Sequence, residues 1–218
     1  MSEPKVSELL GNVGIQISAG HVSNLLIKDQ DAFHQEKDSL YEAGLPRSPW
    51  QHINDTSTRI NGRNGYCHIV CHPLYTAYFP TEAKDRVTII DVLSNQQGRR
   101  FLLNDDALGS LEALGLSLVK RRQVEQLPRA MLMDDETLQG FLEAHVPVLG
   151  PQQHKWIPDA MAVAAYHTAL EFPVVRLLVC DDAPQFTLVT QELGLCWVHD
   201  RCHDKKLTVY RPPPVVAR

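Results

Sequence analysis

An apolar run ends in two adjacent aspartates within Val174–Phe186, VVRLLVCDDAPQF, where Asp181 and Asp182 stand just ahead of Pro184. The run has the length and composition of a buried strand, and the acids followed by proline mark its end. In an open α/β sheet ligands bind beyond the carboxyl ends of the strands, and a carboxylate there suits a hydrated cation. One carboxylate holds Mg²⁺ poorly, because the ion takes hard oxygen ligands while keeping several waters. The second acid expected is Asp55, near the centre of HINDTSTRI, His52–Ile60. Asp55 and Asp181 are therefore the candidate catalytic and metal-binding residues, for Mg²⁺ or Mn²⁺. The plainer alternative makes Asp182 a helix-capping acid and Asp55 a surface residue of a strand.

The elements that must position these acids follow from the pattern of the chain. Residues 1–45 form a helical segment. Leu9, Leu10 and Val13 share one spacing, and Ser18 is placed to cap a helix carrying Val22, Leu25 and Leu26. This also fits the end of a helix-turn-helix, as any small helical hairpin does. GLPRSPW, Gly44–Trp50, breaks the helix twice with proline and sets a boundary. QHINDTSTRI, GYCHIVCHPLY and YTAYFPT then read as three strands. NGRNG, Asn61–Gly65, joins the first two as a hairpin, so the sheet opens as an antiparallel meander.

A helical insertion occupies about residues 84–172. Asn104 is placed to cap DDALGSLEALG, DDETLQGFLEAH repeats that design, and the small residues of Asp159–Phe172 let a helix lie close on a sheet. A strand starting at Pro173, a helix over PQFTLVTQELG and a strand over LCWVH, Leu195–His199, complete a parallel βαβ unit. The core domain spans 46–210, and 211–218 read as an unstructured tail.

The composition, 218 residues with 44% hydrophobic content and a net charge of −5, gives a globular chain and counts against a strongly basic nucleic-acid binder. No apolar run reaches the roughly 20 residues of a membrane span, so no membrane partner is expected. Five cysteines, an odd number, fit reduced thiols. Basic residues cluster in Lys120–Arg129 and Arg201–Arg211, making Lys120, Arg121, Arg122, Lys205 and Lys206 the candidate DNA contacts. CHIVCH, Cys67–His72, has zinc-ligand residue types, but strand alternation puts its cysteines and histidines on opposite faces. A doubly wound phosphoacceptor domain would alternate strand and helix from its start, unlike the expected meander.

CDDAPQF, together with WQHINDTSTRINGRNGYCHIVCHPLYTAYF, AKDRVTIIDVL and AVAAYHTALEFPVVRLLVCDDAPQFTLVTQELGLCWVHDRCHDKKL, resembles the DDE transposases of bacterial insertion sequences. The likeness covers roughly residues 15–207. It implies an RNase H-like mixed sheet and a bacterial cytoplasmic protein. It also implies DNA strand cleavage and transfer at transposon ends, with two Mg²⁺ ions held by three carboxylates. By the same likeness Asp181 matches the second carboxylate, Asp182 is a neighbouring position without a ligand role and Trp197 is core; His199, close to the end of its strand, either borders the acidic site or is a buried, satisfied histidine. Asn54-Asp55-Thr56 stands where the family reads Asp-Asp-Thr or Asp-Glu-Thr, so Asn54 replaces an acid. The family's third carboxylate lies on a helix downstream. Of the acids after Asp182, Glu192, Asp200 and Asp204, none stands in that motif. The expectation is a C-terminally truncated transposase, catalytically incomplete alone. The alternative is a non-catalytic DNA-binding or assembly module that partners itself or a full-length transposase.

Overall fold

The computed structural model describes residues 3–60 and 62–197. The chain divides into two compact units, Met1–Leu40 and Tyr41–Arg218. In the first unit α1 (Glu3–Asn12) packs on α2 (Ala19–Ile27). The Ser18 side chain accepts from the His21 N–H and caps α2 as its spacing implies. A third helix, α3 (Asp31–Gly44), begins in this unit and ends in the second.

The second unit is α/β. Its sheet has five strands in the order β3-β2-β1-β6-β7. The strands are β1 (Trp50–Ile60), β2 (Arg63–His72), β3 (Tyr75–Thr81), β6 (Leu177–Cys180) and β7 (Glu192–Leu195). The first three form the antiparallel meander, and β6 runs parallel to β1 and to β7. Ile60 pairs with Arg63, and Gly62 between them sits at φ 78°. The sequence suggested a five-residue turn; Arg63, Asn64 and Gly65 instead extend β2.

Between β3 and β6 come α4 (Arg86–Leu93), α5 (Asp105–Ala113), α6 (Leu118–Glu125), α7 (Asp135–His145) and α8 (Pro151–His167). A two-stranded ribbon of β4 (Phe101–Leu102) and β5 (Leu132–Met133) lies among them, unheralded by any strand-length apolar alternation. Asn104 caps α5 by accepting from the Ala107 N–H, and Asp134 caps α7 from the Thr137 N–H. The small-residue helix α8 ends at His167 and not Phe172, and its main neighbours are α5, β4 and α4.

One face of the sheet is buried. Gln51 and Ile53 of β1, His68 and Val70 of β2, Ala77 and Phe79 of β3, and Leu178 and Cys180 of β6 all point to it. The apolar members share one cluster with α4, α5, α7 and α8. The other face carries His52, Asn54, Thr56, Thr76 and Tyr78, all exposed. Under β1 the Tyr41 hydroxyl donates to Gln51 Oε1 at 3.1 Å, and Gln51 Nε2 donates to the Tyr75 hydroxyl at 2.6 Å, so this buried amide is satisfied. Gly44 is required beside it, because a Cβ there would run into the Tyr75 ring.

The region after β6 departs most from expectation. Pro173 does not begin the strand, which starts at Leu177. PQFTLVTQELG is not a helix: a 3-10 turn covers Pro184–Phe186, Leu188 sits at φ 70°, and β7 begins at Glu192. The physical reason is the destination of its carbonyls. Arg86 Nε donates to the Thr187 carbonyl at 2.9 Å, while Nη2 donates to the Pro184 carbonyl at 2.8 Å and to Thr187 Oγ1 at 3.0 Å. Those acceptors are therefore taken by a guanidinium and not by helical N–H groups. Phe186 and Val189 are buried as apolar anchors of the same segment. The last strand is Glu192–Leu195 and not Leu195–His199; residues 198–199 lie outside the described residues. Trp197, expected in the core, is 86% exposed, because β7 has already ended.

Arg86 Nη1 also donates to Asp159 Oδ2 of α8 at 2.6 Å, and both side chains are nearly fully buried. Burial holds the Asp159 carboxyl above the usual carboxylate range, against the downward pull of Arg86. Removing one member of such a pair strands the other charge. Asp159→Ala is expected to lower unfolding free energy by about 3–5 kcal/mol, measured by urea denaturation. A loss below about 1 kcal/mol, the range of exposed pairs, would show that the pair does not hold this unit together.

Candidate functional site

β1 places Asp55 on the buried face because Gln51, Ile53 and Asp55 alternate with His52, Asn54 and Thr56. Directly across on β2 is His68, with Tyr66 next along the same face. The segment following β3 brings Lys84 over this position. Lys84 Nζ lies 3.4 Å from Asp55 Oδ1 and 5.3 Å from the centre of the Tyr66 ring. From the loop after β6, Gln185 Nε2 donates to Asp55 Oδ2 at 3.4 Å. The Asp55 side chain keeps 11% of its exposure and that of Lys84 45%. Asp55 is thus a half-screened carboxylate with one long contact on each oxygen.

β6 runs beside β1 through Trp50↔Leu177, Gln51↔Leu178 and His52↔Val179. Continuing that register past the end of β6 puts Asn54 level with Asp181 and Asp55 level with Asp182. Asp181 Oδ1 accepts from the Ala183 N–H at 3.1 Å, closing a short side-chain turn at the carboxyl end of the strand. Asp182 is exposed. The fold brings the Asp55 and Asp181 segments side by side, but with Asp181 level with Asn54 and not with Asp55. Asn54 points to the open face, its Oδ1 accepting from the Asp55 N–H at 2.9 Å, and so does not share the side occupied by Asp55.

The other expected residues are dispersed. Lys120, Arg121 and Arg122 lie on α6, where Arg121 is paired with Glu112 of α5 at 2.7 Å. Nearby Arg129 is paired with Asp105 at 2.7 Å, so this basic run is partly neutralised by its own surface. His199, Lys205 and Lys206 lie outside the described residues. Cys67 and Cys71 stand on the face opposite His68, and the four described cysteines are free thiols. Among the described residues no group of three or more His, Cys, Asp or Glu side chains is arranged to hold a metal ion.

Sequence reasoning missed Lys84, Arg86, Asp159 and Gln185. Arg86 and Asp159 did leave a signal: each is a charge next to a mostly apolar helical run, VTII and AMAVAA, and their signs are opposite. Lys84 left none. Beside Asp55 opens a cleft of about 570 Å³ lined by Lys84, Asp85, Arg86, Lys155, Trp156, Asp159, Pro184, Gln185 and Thr187, among others. Its floor is the Arg86 hydrogen-bond cluster, and its rim carries the two lysines.

Compared with protein-family models, with curated proteins and with solved structures, the chain finds no match. What fold and site define is an α/β unit with a mixed five-stranded sheet and an acid on each of two adjoining parallel segments. Among the described residues no helix is long and apolar enough to cross a membrane.

His68 supplies a pH dependence. It is fully buried, its Nε2 lies 3.3 Å from the Ala83 carbonyl and its Nδ1 has no hydrogen-bond partner. Burial lowers its pKa, outweighing the opposite pull of the Ala83 carbonyl, Asp55 and Asp85. The unfolded chain then takes up this proton first, so the contribution is complete above the ordinary histidine value of about 6.5 and is lost as pH falls below it. Urea midpoints at about pH 7.5 and about pH 5.5 should show the acid-side loss shrinking in His68→Gln. An unchanged loss would place the pH sensitivity on other groups.

Proposed function

We propose that the second unit is an RNase H-like core of the DDE transposase kind, which engages DNA and does not by itself complete strand transfer. The observation that carries this reading is the strand order β3-β2-β1-β6-β7, an antiparallel meander followed by two parallel strands, with Asp181 at the carboxyl end of β6 one strand from Asp55. The sequence blocks that resemble the insertion-sequence transposases run through these elements and supply the reaction class.

The ligand types suit a hard divalent cation, Mg²⁺ or Mn²⁺, but the donor set is incomplete: the register puts Asp181 level with Asn54 and not with Asp55, and among the described residues no three acids converge. Both candidate ligands are carboxylates, and the 3.4 Å contacts of Asp55 with Lys84 and Gln185 are long enough to exchange. For Asp55 and Asp181 to hold one ion together, the segment after β6 would have to turn Asp181 toward the Asp55 side; the ion's chemistry there would be to polarise a phosphodiester oxygen and activate a water or hydroxyl nucleophile. Among the described residues, the outward orientation of Asn54 and the remaining acids do not supply the family's full three-carboxylate arrangement. A second reading, a non-catalytic DNA-binding or assembly module, is favoured by the same fact and by the lysine already seated on Asp55.

Titration of the purified chain with Mg²⁺ or Mn²⁺, followed through backbone amide resonances, separates the two. Shifts confined to the Asp55 and Asp181 segments and abolished in Asp181→Ala are expected for the cation site. No response at millimolar metal would remove the metal-dependent reading. DNA binding that survives Asp181→Ala and weakens steeply with salt would then leave the binding module standing.

A further inference from the structure

We propose that the tip of the β1–β2 hairpin is a DNA-binding ribbon that enters the major groove of a duplex and sets Arg59 and Arg63 on the two phosphate backbones flanking it. The inference rests on the DNA-engaging reading above and names the element that makes the contact. No aspartate or glutamate occurs between Asp55 and Glu82, although the chain as a whole carries a net charge of −5. Arg59 and Arg63 both fall in that acid-free stretch. Both are exposed, and neither guanidinium is engaged in an ion pair among the described residues. The basic run around α6 differs, since Arg121 is committed to Glu112 and Arg129 to Asp105. A cation without a partner is the one free to meet a phosphate.

The ribbon is the part of the hairpin that outruns its sheet neighbours. β3 leaves β2 at Tyr66↔Thr81, and β6 leaves β1 at His52↔Val179. Beyond those points Thr58↔Gly65, Arg59↔Asn64 and Ile60↔Arg63 pair only with each other. Three such pairs reach about 10 Å. The major groove of B-DNA is about 8.5 Å deep and about 12 Å wide, room enough for a two-stranded ribbon. Strand alternation puts Arg59 on the face of Asp55 and Ser57, and Arg63, across from Ile60, on the face of Thr56 and Thr58. A ribbon seated in the groove turns one face to each backbone, so each arginine has phosphates of its own to meet. Asn64 lies opposite Arg59, and Thr58 lies diagonally from Arg63, adding an amide and a hydroxyl that can donate to phosphate oxygens. Duplex RNA does not offer the same fit, because its major groove is deep and narrow.

The test follows binding of the full chain to a fluorescein-labelled, mixed-sequence DNA duplex by anisotropy over a range of salt concentrations. Wild type, Arg59→Gln/Arg63→Gln, Arg59→Lys/Arg63→Lys and Asn64→Lys are compared, with Lys120→Gln/Arg122→Gln on α6 alongside. Loss of both guanidinium groups should weaken binding about tenfold or more at about 50 mM salt and lower the slope of log affinity against log salt by about two. The lysine pair keeps both charges and should keep the slope. Asn64→Lys adds a cation beside Arg59 and should tighten binding and steepen the slope by about one, a gain that misfolding cannot mimic. A duplex RNA of the same sequence should bind more weakly than the DNA. Unchanged affinity and slope in the glutamine pair overturn the ribbon; if binding is then lost in the α6 pair, DNA engagement stands with its contact moved to α6. Equal affinity for the DNA and RNA duplexes overturns groove entry. Absence of binding to either duplex by wild type overturns the ribbon together with the DNA-engaging reading.

Discussion

The Arg86 guanidinium joins segments that are far apart in sequence. It donates to Asp159 of α8 and to Pro184 and Thr187 of the loop after β6, from the first residue of α4. A guanidinium can make these contacts because its donors project in a fixed planar fork, whereas a lysine would serve only a subset. Buried as it is, the group is tolerable only when its donors and its charge are matched, and the carboxylate and two carbonyls do this. The loop that carries Asp181, Asp182 and Gln185 is consequently held in a non-helical path. His167 adds a second tie, with Nε2 donating to the Val189 carbonyl at 3.0 Å while Nδ1 meets Asp106 at 2.7 Å.

That constraint decides what Asp55 can meet. A helix over Pro184–Gly194 would consume its own carbonyls and turn Gln185 according to helical periodicity. The irregular loop instead delivers Gln185 to the buried face of β1, beside Lys84 from the end of the meander. The environment of the carboxylate is thus assembled from β1, β2, the segment before α4 and the loop after β6. Its neighbours are polar and their contacts long, 3.4 Å from Lys84 to one oxygen and 3.4 Å from Gln185 to the other.

Much of the scaffold was legible in the sequence because it is local. The meander announced itself through alternation and the turn signal of NGRNG, and the caps at Ser18 and Asn104 through the residue types that accept from unpaired helix N–H groups. The strand ending in Asp181 could be read from an apolar run stopped by acids and proline. Errors gathered after Asp182, where TLVTQEL has the composition of a helix and its carbonyl partners sit about a hundred residues upstream on Arg86. The exposure of Trp197 follows from the same displacement of the final strand.

The sequence by itself determined which segments are helix and strand through most of the chain, and that an acid would stand at the end of a strand following a helical insertion. These features depend on turns, caps and periodicities within a dozen residues. Only the tertiary structure decided that Asp55 faces the helices while Asn54 faces outward, that Lys84 sits on Asp55, and that Arg86 fixes the loop. Those outcomes depend on strand register and on charges meeting across the fold, which a linear pattern does not encode.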